Sequence, residues 1–125
     1  MDFDSAVKIV AERMSRRAKD LKGLPHVELV ELIMNEVGCK DYEDFLRRFL
    51  DDPKEFYDLA LSRLNKPVAE SLLGLLYVNI FSRFGLGELG VAFFDAVKAG
   101  DKAKMKEVFM KLAEVINELE EREKK

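Results

Sequence analysis

A chain of 125 residues with 21 basic and 24 acidic side chains and a formal net charge of −3 has the length of one domain and enough sequence to close its own core. Hydrophobic residues at 48% and charged residues at 36% exclude a disordered chain, and the acidic balance excludes a surface built throughout for polyanions. Cys39 is the only cysteine, which excludes an internal disulfide and an extracellular disulfide scaffold.

The opening Met-Asp-Phe-Asp has neither the basic flank nor the apolar run of a secretory leader, so a cytoplasmic protein is expected. Gln, Thr and Trp are absent while Lys, Glu and Arg abound, a bias of proteins that work hot.

In chain order, Phe3, Val7, Val10, Met14, Ala18 and Leu21 recur at helical spacing and predict a first helix from about Asp4 to Lys22, with Asp2 or Asp4 to cap it. Gly23 ends it. Pro25 suits a first helical position, and Val27, Val30, Ile33, Met34 and Val37 mark the stripe of a second helix that Gly38 terminates. Asp41 caps a short third helix carrying Tyr42, Phe45, Leu46, Phe49 and Leu50 inward, with Arg47 and Arg48 on its exposed side. Asp52-Pro53-Lys54-Glu55 combines an acidic cap, a proline and an early glutamate, and starts a fourth helix that runs to about Leu64.

Asn65-Lys66-Pro67 then breaks the chain. From Val68 to Phe84 the sequence is apolar nearly all the way round, the pattern of a helix surrounded by others, and Gly85-Leu86-Gly87 closes it. A membrane span needs about 20 mostly apolar residues. This stretch is shorter and carries Glu70, Ser71, Asn79 and Arg83, so no membrane is expected. A sixth helix takes Glu88 to Ala99, Gly100 stops it, and Asp101 opens the last helix. Only Glu120 to Lys125 are polar enough to fray. No alternating strand pattern occurs, so the expected fold is all-α: a single domain over 1–125, six or seven helices about a central apolar helix near 67–84.

No catalytic, cofactor or metal signature stands out. Gly85, Gly87 and Gly90 spell Gly-x-Gly-x-x-Gly, but the dinucleotide fingerprint needs a preceding strand, and Glu88 sits where phosphate would bind. The glycines read instead as a left-handed stop at Gly85, a flexible start at Gly87 and a close helix contact at Gly90. His26 is the only histidine and has Gly23, not Glu, three residues before it, so it builds no di-metal bundle motif. Cys39 beside Lys40 lacks a second histidine to activate it. The carboxylates Asp41, Glu43, Asp44, Asp51 and Asp52 lack the layout of a calcium loop and suit helix caps.

Three functional readings follow. Met105, Phe109, Leu112, Ile116 and Leu119 step by four, three, four and three, a heptad-like seam that suits self-association with a second copy, or packing on the chain's own core. A protein-interaction or self-association module, partnered by another protein or a homodimer, is the leading expectation. Arg13, Arg16, Arg17, Lys19 and Lys22 crowd the end of the first helix and form a stripe able to follow a nucleic-acid backbone. The third reading is a small-ligand binder or enzyme whose pocket gathers distant residues, such as Glu70, Tyr77, Asn79 and Arg83. The aromatics Phe81, Phe84, Phe93 and Phe94 suit core packing, or the lining of a pocket or partner groove.

From Phe45 to Gly85, the run Phe-Leu-Asp-Asp-Pro-Lys-Glu-Phe-Tyr, then Leu59 to Leu64, a turn, and the apolar helix ending Phe84-Gly85 resembles the archaeal helical family called the nitrosopumilus output domain. The resemblance covers about a third of the chain and departs from the family at Asn65-Lys66-Pro67, where a glycine-bearing turn is expected. It implies an output or interaction module and carries over no catalytic residues.

Overall fold

Four helices open on a side chain that accepts a hydrogen bond from the first turn. Asp2 accepts from the Ser5 N–H at 2.8 Å, Asp41 from Asp44 at 2.8 Å, Asn65 from Val68 at 3.0 Å and Asp101 from Lys104 at 3.1 Å. Each such cap contributes about 1 kcal/mol. In the computed structural model, which describes residues 1–123, they begin α1 (Phe3–Asp20), α3 (Tyr42–Asp51), α5 (Lys66–Ser82) and α7 (Lys102–Glu123). Prolines begin α2 (Pro25–Val37) and α4 (Pro53–Arg63), and α6 (Gly87–Ala99) follows the glycine turn.

Gly38, Gly85 and Gly100 each adopt positive φ, at 76°, 74° and 70°. The residue after each donates its N–H back into the preceding helix: Cys39 to Met34 O, Leu86 to Phe81 O and Asp101 to Ala96 O, all at 2.9 Å. These are glycine stops that consume otherwise orphaned carbonyls.

The described residues thus form an all-α bundle of seven helices without a strand. No described helix is long and apolar enough to cross a membrane. Three local expectations are corrected. Asp52 precedes α4 but makes no side-chain cap bond, so Pro53 carries that start. Asn65-Lys66-Pro67 does not stand outside the fifth helix; Asn65 caps it, and Lys66 and Pro67 lie in its first turn, where proline's missing N–H is not needed. Glu120 to Glu123 continue α7 instead of fraying, and Glu120 is held by an ion pair to Arg16. Lys124 and Lys125 lie outside the described residues.

Packing divides the bundle into neighbourhoods. α6 lies against α5, α7 and α4; α1 packs on α3 and α7; α2 packs on α5 and α4. At the α5–α6 contact a Cβ on Gly90 would stand 3.0 Å from Val78 Cα and 3.1 Å from the Tyr77 carbonyl oxygen, so the bare glycine is what lets the two backbones touch. Around them sits an aromatic core. Phe45 meets Phe56 edge-on at 5.2 Å, Phe49 meets Phe56 at 5.5 Å, and Tyr77 meets Phe93 edge-on at 5.3 Å. Such tilted and edge-to-face pairs add about 0.5–1.5 kcal/mol each beyond their burial.

α5 takes its place in the bundle, but its wrapping is incomplete. Ala69, Leu73, Tyr77 and Phe81 form one deeply buried line at four-residue spacing, whereas Val68 is 43% exposed. Ile80 and Phe84 are only half-buried. The reason lies in the neighbours: α5 has α2, α4 and α6 packed against it, while its backbone contact with α1 and α7 is slight at most.

Candidate functional site

α1 and α2 follow one another in sequence, yet their backbones do not pack closely; α1 rests on α3 and α7, and α2 on α4 and α5. Between the pairs α1–α7 and α2–α5 the helices leave a cavity of about 530 Å³. From α1 it is lined by Val10, Met14 and Ala18, with Leu21 just beyond; Leu24, Val27 and Val30 line it from the α2 side. Ile80 and Phe84 close it at the end of α5, Ile116 and Leu119 from α7, and Tyr42 at the start of α3. Its border reaches solvent at Leu24, Arg83 and Glu123. The volume falls within the range of about 300–1,000 Å³ usual for small-molecule pockets, and the largely apolar lining is of the usual kind.

Three guanidinium groups stand among the apolar lining: Arg13, Arg17 and Arg83. Arg13 and Arg17 are one turn apart on α1 and so share a face. The Arg13 guanidinium lies over the Phe84 ring, 5.5 Å from its centroid. Arg17 reaches Asp20 at 4.0 Å through one terminal nitrogen, but its Nε is buried without a hydrogen-bond partner. Among the described residues neither Arg13 nor Arg83 joins an ion pair. Glu123 is the one carboxylate in the lining, so the wall carries a net positive charge on a chain that is negative as a whole.

The basic end of α1 is therefore divided. Arg13 and Arg17 border the cavity, Arg16 is engaged by Glu120 and Glu12, and Lys19 and Lys22 are exposed. They do not form one uninterrupted stripe.

The seam of α7 is corrected as a surface for a second copy. Met105, Phe109, Leu112 and Ile116 are at most 3% exposed, because α1 and α6 already cover that face. Leu119 borders the cavity. Of the expected group Glu70, Tyr77, Asn79 and Arg83, the three whose side chains are described do not come together. Glu70 accepts a hydrogen bond from the Tyr57 hydroxyl at 2.6 Å across α4 and α5. Tyr77 sits among Phe49, Phe93 and Phe94, and only Arg83 reaches the cavity. The side chains of Asn79 and His26 lie outside the described residues. Of the four aromatics near the glycine turn, Phe84 lines the cavity, while Phe81 and Phe93 pack together at 5.4 Å.

Cys39 lies just past the α2 stop, where burial and then the nearby Asp44 push its thiol up, toward the protonated form. That opposes a nucleophilic thiolate. Asp41 and Asp44 serve the start of α3, with Asp44 accepting from the Lys40 N–H at 3.0 Å. No cluster of three metal-ligating side chains occurs among the described residues.

Fold and site together define a helical bundle with a largely apolar, arginine-bordered cavity. Comparison with protein-family models, curated proteins and solved structures found no match.

Proposed function

We propose that this protein is a binding module for a small, largely apolar molecule held in the cavity between α1, α2, α5 and α7. The observation that carries the reading is the incomplete wrapping of α5. Val10, Ala18, Ile80, Phe84 and Leu119 front a space that none of the chain's described side chains fills. The space opens to solvent at Leu24, Arg83 and Glu123, so an apolar molecule seated in it would remove its own surface and that of the lining from water together. The described lining is mostly apolar side chains with three arginines, a surface suited to holding a molecule. A ligand-holding module is in keeping with the output or interaction role that the resemblance over Phe45 to Gly85 implies.

Titration calorimetry with a series of straight-chain primary alcohols tests this. Each methylene moved from water into the cavity contributes about 0.8 kcal/mol, close to fourfold in affinity. Affinity should climb by that factor per carbon and level off once the space is filled. Alcohols of every length failing to bind would remove the reading.

A further inference from the structure

We infer that the occupant of the cavity is an amphiphilic anion, an alkyl or aryl chain ending in a carboxylate, with its head group held by Arg13, Arg17 and Arg83. The inference rests on the preceding reading of the cavity and adds the charge and position of the polar end.

Guanidinium groups are ordinarily free to stay in water while their aliphatic stems cover apolar surface. Arg17 follows that pattern only in part: its side chain is 37% exposed, yet its Nε–H is buried with no acceptor, a condition native proteins seldom leave unanswered. Its neighbour one turn earlier, Arg13, lies over the ring of Phe84, which also lines the cavity. Arg83 comes to the same lining from the end of α5. These donors have α1 on one side of the space and α5 on the other, and only Glu123 opposes them. A planar carboxylate accepts two parallel bonds from a guanidinium, and such charge-assisted bonds are roughly twice as strong as neutral ones. Aliphatic Val10, Ala18, Leu21 and Ile80 then take the chain. A cationic amphiphile would meet three like charges, and a neutral hydroxyl could accept one bond from the Arg17 Nε–H but would bring neither the opposite charge nor the second parallel bond.

The test compares decanoate, decanol and decylammonium by titration calorimetry on the full chain at neutral pH. Decanoate should bind about tenfold or more tighter than decanol, with decylammonium weakest. Arg17→Met and, separately, Arg83→Met should bring the decanoate-to-decanol ratio toward unity, while Lys19→Met, on the exposed side of α1, leaves the ratio as it was. Arg83 is exposed, so its replacement gives a folded variant should Arg17→Met prove unstable. If decanol binds and decanoate binds no better, the cavity reading stands and the anion inference is overturned. A ratio insensitive to both arginine substitutions overturns it equally. Failure of all three compounds to bind overturns both.

Discussion

Around Phe49, ring meets ring: Phe45, Phe56, Tyr77 and Phe93 all have centroids within 6.1 Å of it. Around Ile80, by contrast, side chains from α1, α2, α5 and α7 and the start of α3 stop short of one another and leave a space of about 530 Å³. The void bordering the aromatic side is only about 50 Å³. Both regions are built from apolar side chains at helical spacing, so hydrophobicity does not distinguish them. Size and partner geometry do. Broad rings from α3, α4, α5 and α6 can tilt into each other's edges, whereas Val, Ala, Leu and Ile on helices that lack close backbone approach cannot span the distance.

Truncation in the filled region should show the largest effect. Phe49→Ala removes a ring that is 3% exposed and leaves a hole walled by other rings, so it should cost about 3–5 kcal/mol in urea unfolding. A loss below 1 kcal/mol would mean that the ring cluster collapses into the space, and the contrast between the two ends would fail.

A matched pair of enlargements sharpens the comparison. Ala60→Leu, at a fully buried position of α4, should destabilise by about 1–3 kcal/mol through overpacking. Ala18→Leu, which points the same three carbons into the cavity lining, should stabilise by about 0.5–2 kcal/mol and weaken decanol binding together. Equal signs for the two substitutions in thermal unfolding would show that the cavity end is already full.

The smallest effect is a titration. Tyr57 is pushed up to about 12, first by its hydrogen bond to Glu70 and then by burial; burial alone raises Tyr77, and burial with Glu31 nearby raises Tyr42. Unfolded tyrosine ionises near pH 10. A phenol held above that value stabilises the fold fully below about pH 10, and the contribution is lost as pH rises from there through about 12 for Tyr57. In an alkaline titration, phenolate absorbance should therefore rise together with the loss of helical circular dichroism. A phenolate step near pH 10 with the helices intact would mean that the Tyr57–Glu70 bond is not made in solution.

The fold was legible because its punctuation is local. Asp2, Asp41, Asn65 and Asp101 act within three residues, and Gly38, Gly85 and Gly100 act within one turn. Even the close packing at Gly90 was readable, since a glycine inside a helical pattern marks a contact that excludes a side chain. The cavity was not legible, because it depends on which helices fail to meet. Its lining comes from α1, α2, the ends of α5 and α7, and Tyr42, and no spacing rule links these. One signal was present: a helix apolar all round needs neighbours all round, and a bundle of this size did not supply enough for Ile80 and Phe84. The four-residue step from Arg13 to Arg17, interleaved with Met14, Ala18 and Leu21, is a second, since it sets two guanidinium groups on a face shared with apolar side chains.

The bare α-carbon of Gly90 has a mechanical corollary. Any side chain at this position would have to drive α5 and α6 apart, and with them the stretch of cavity wall that Ile80 forms two residues beyond Val78.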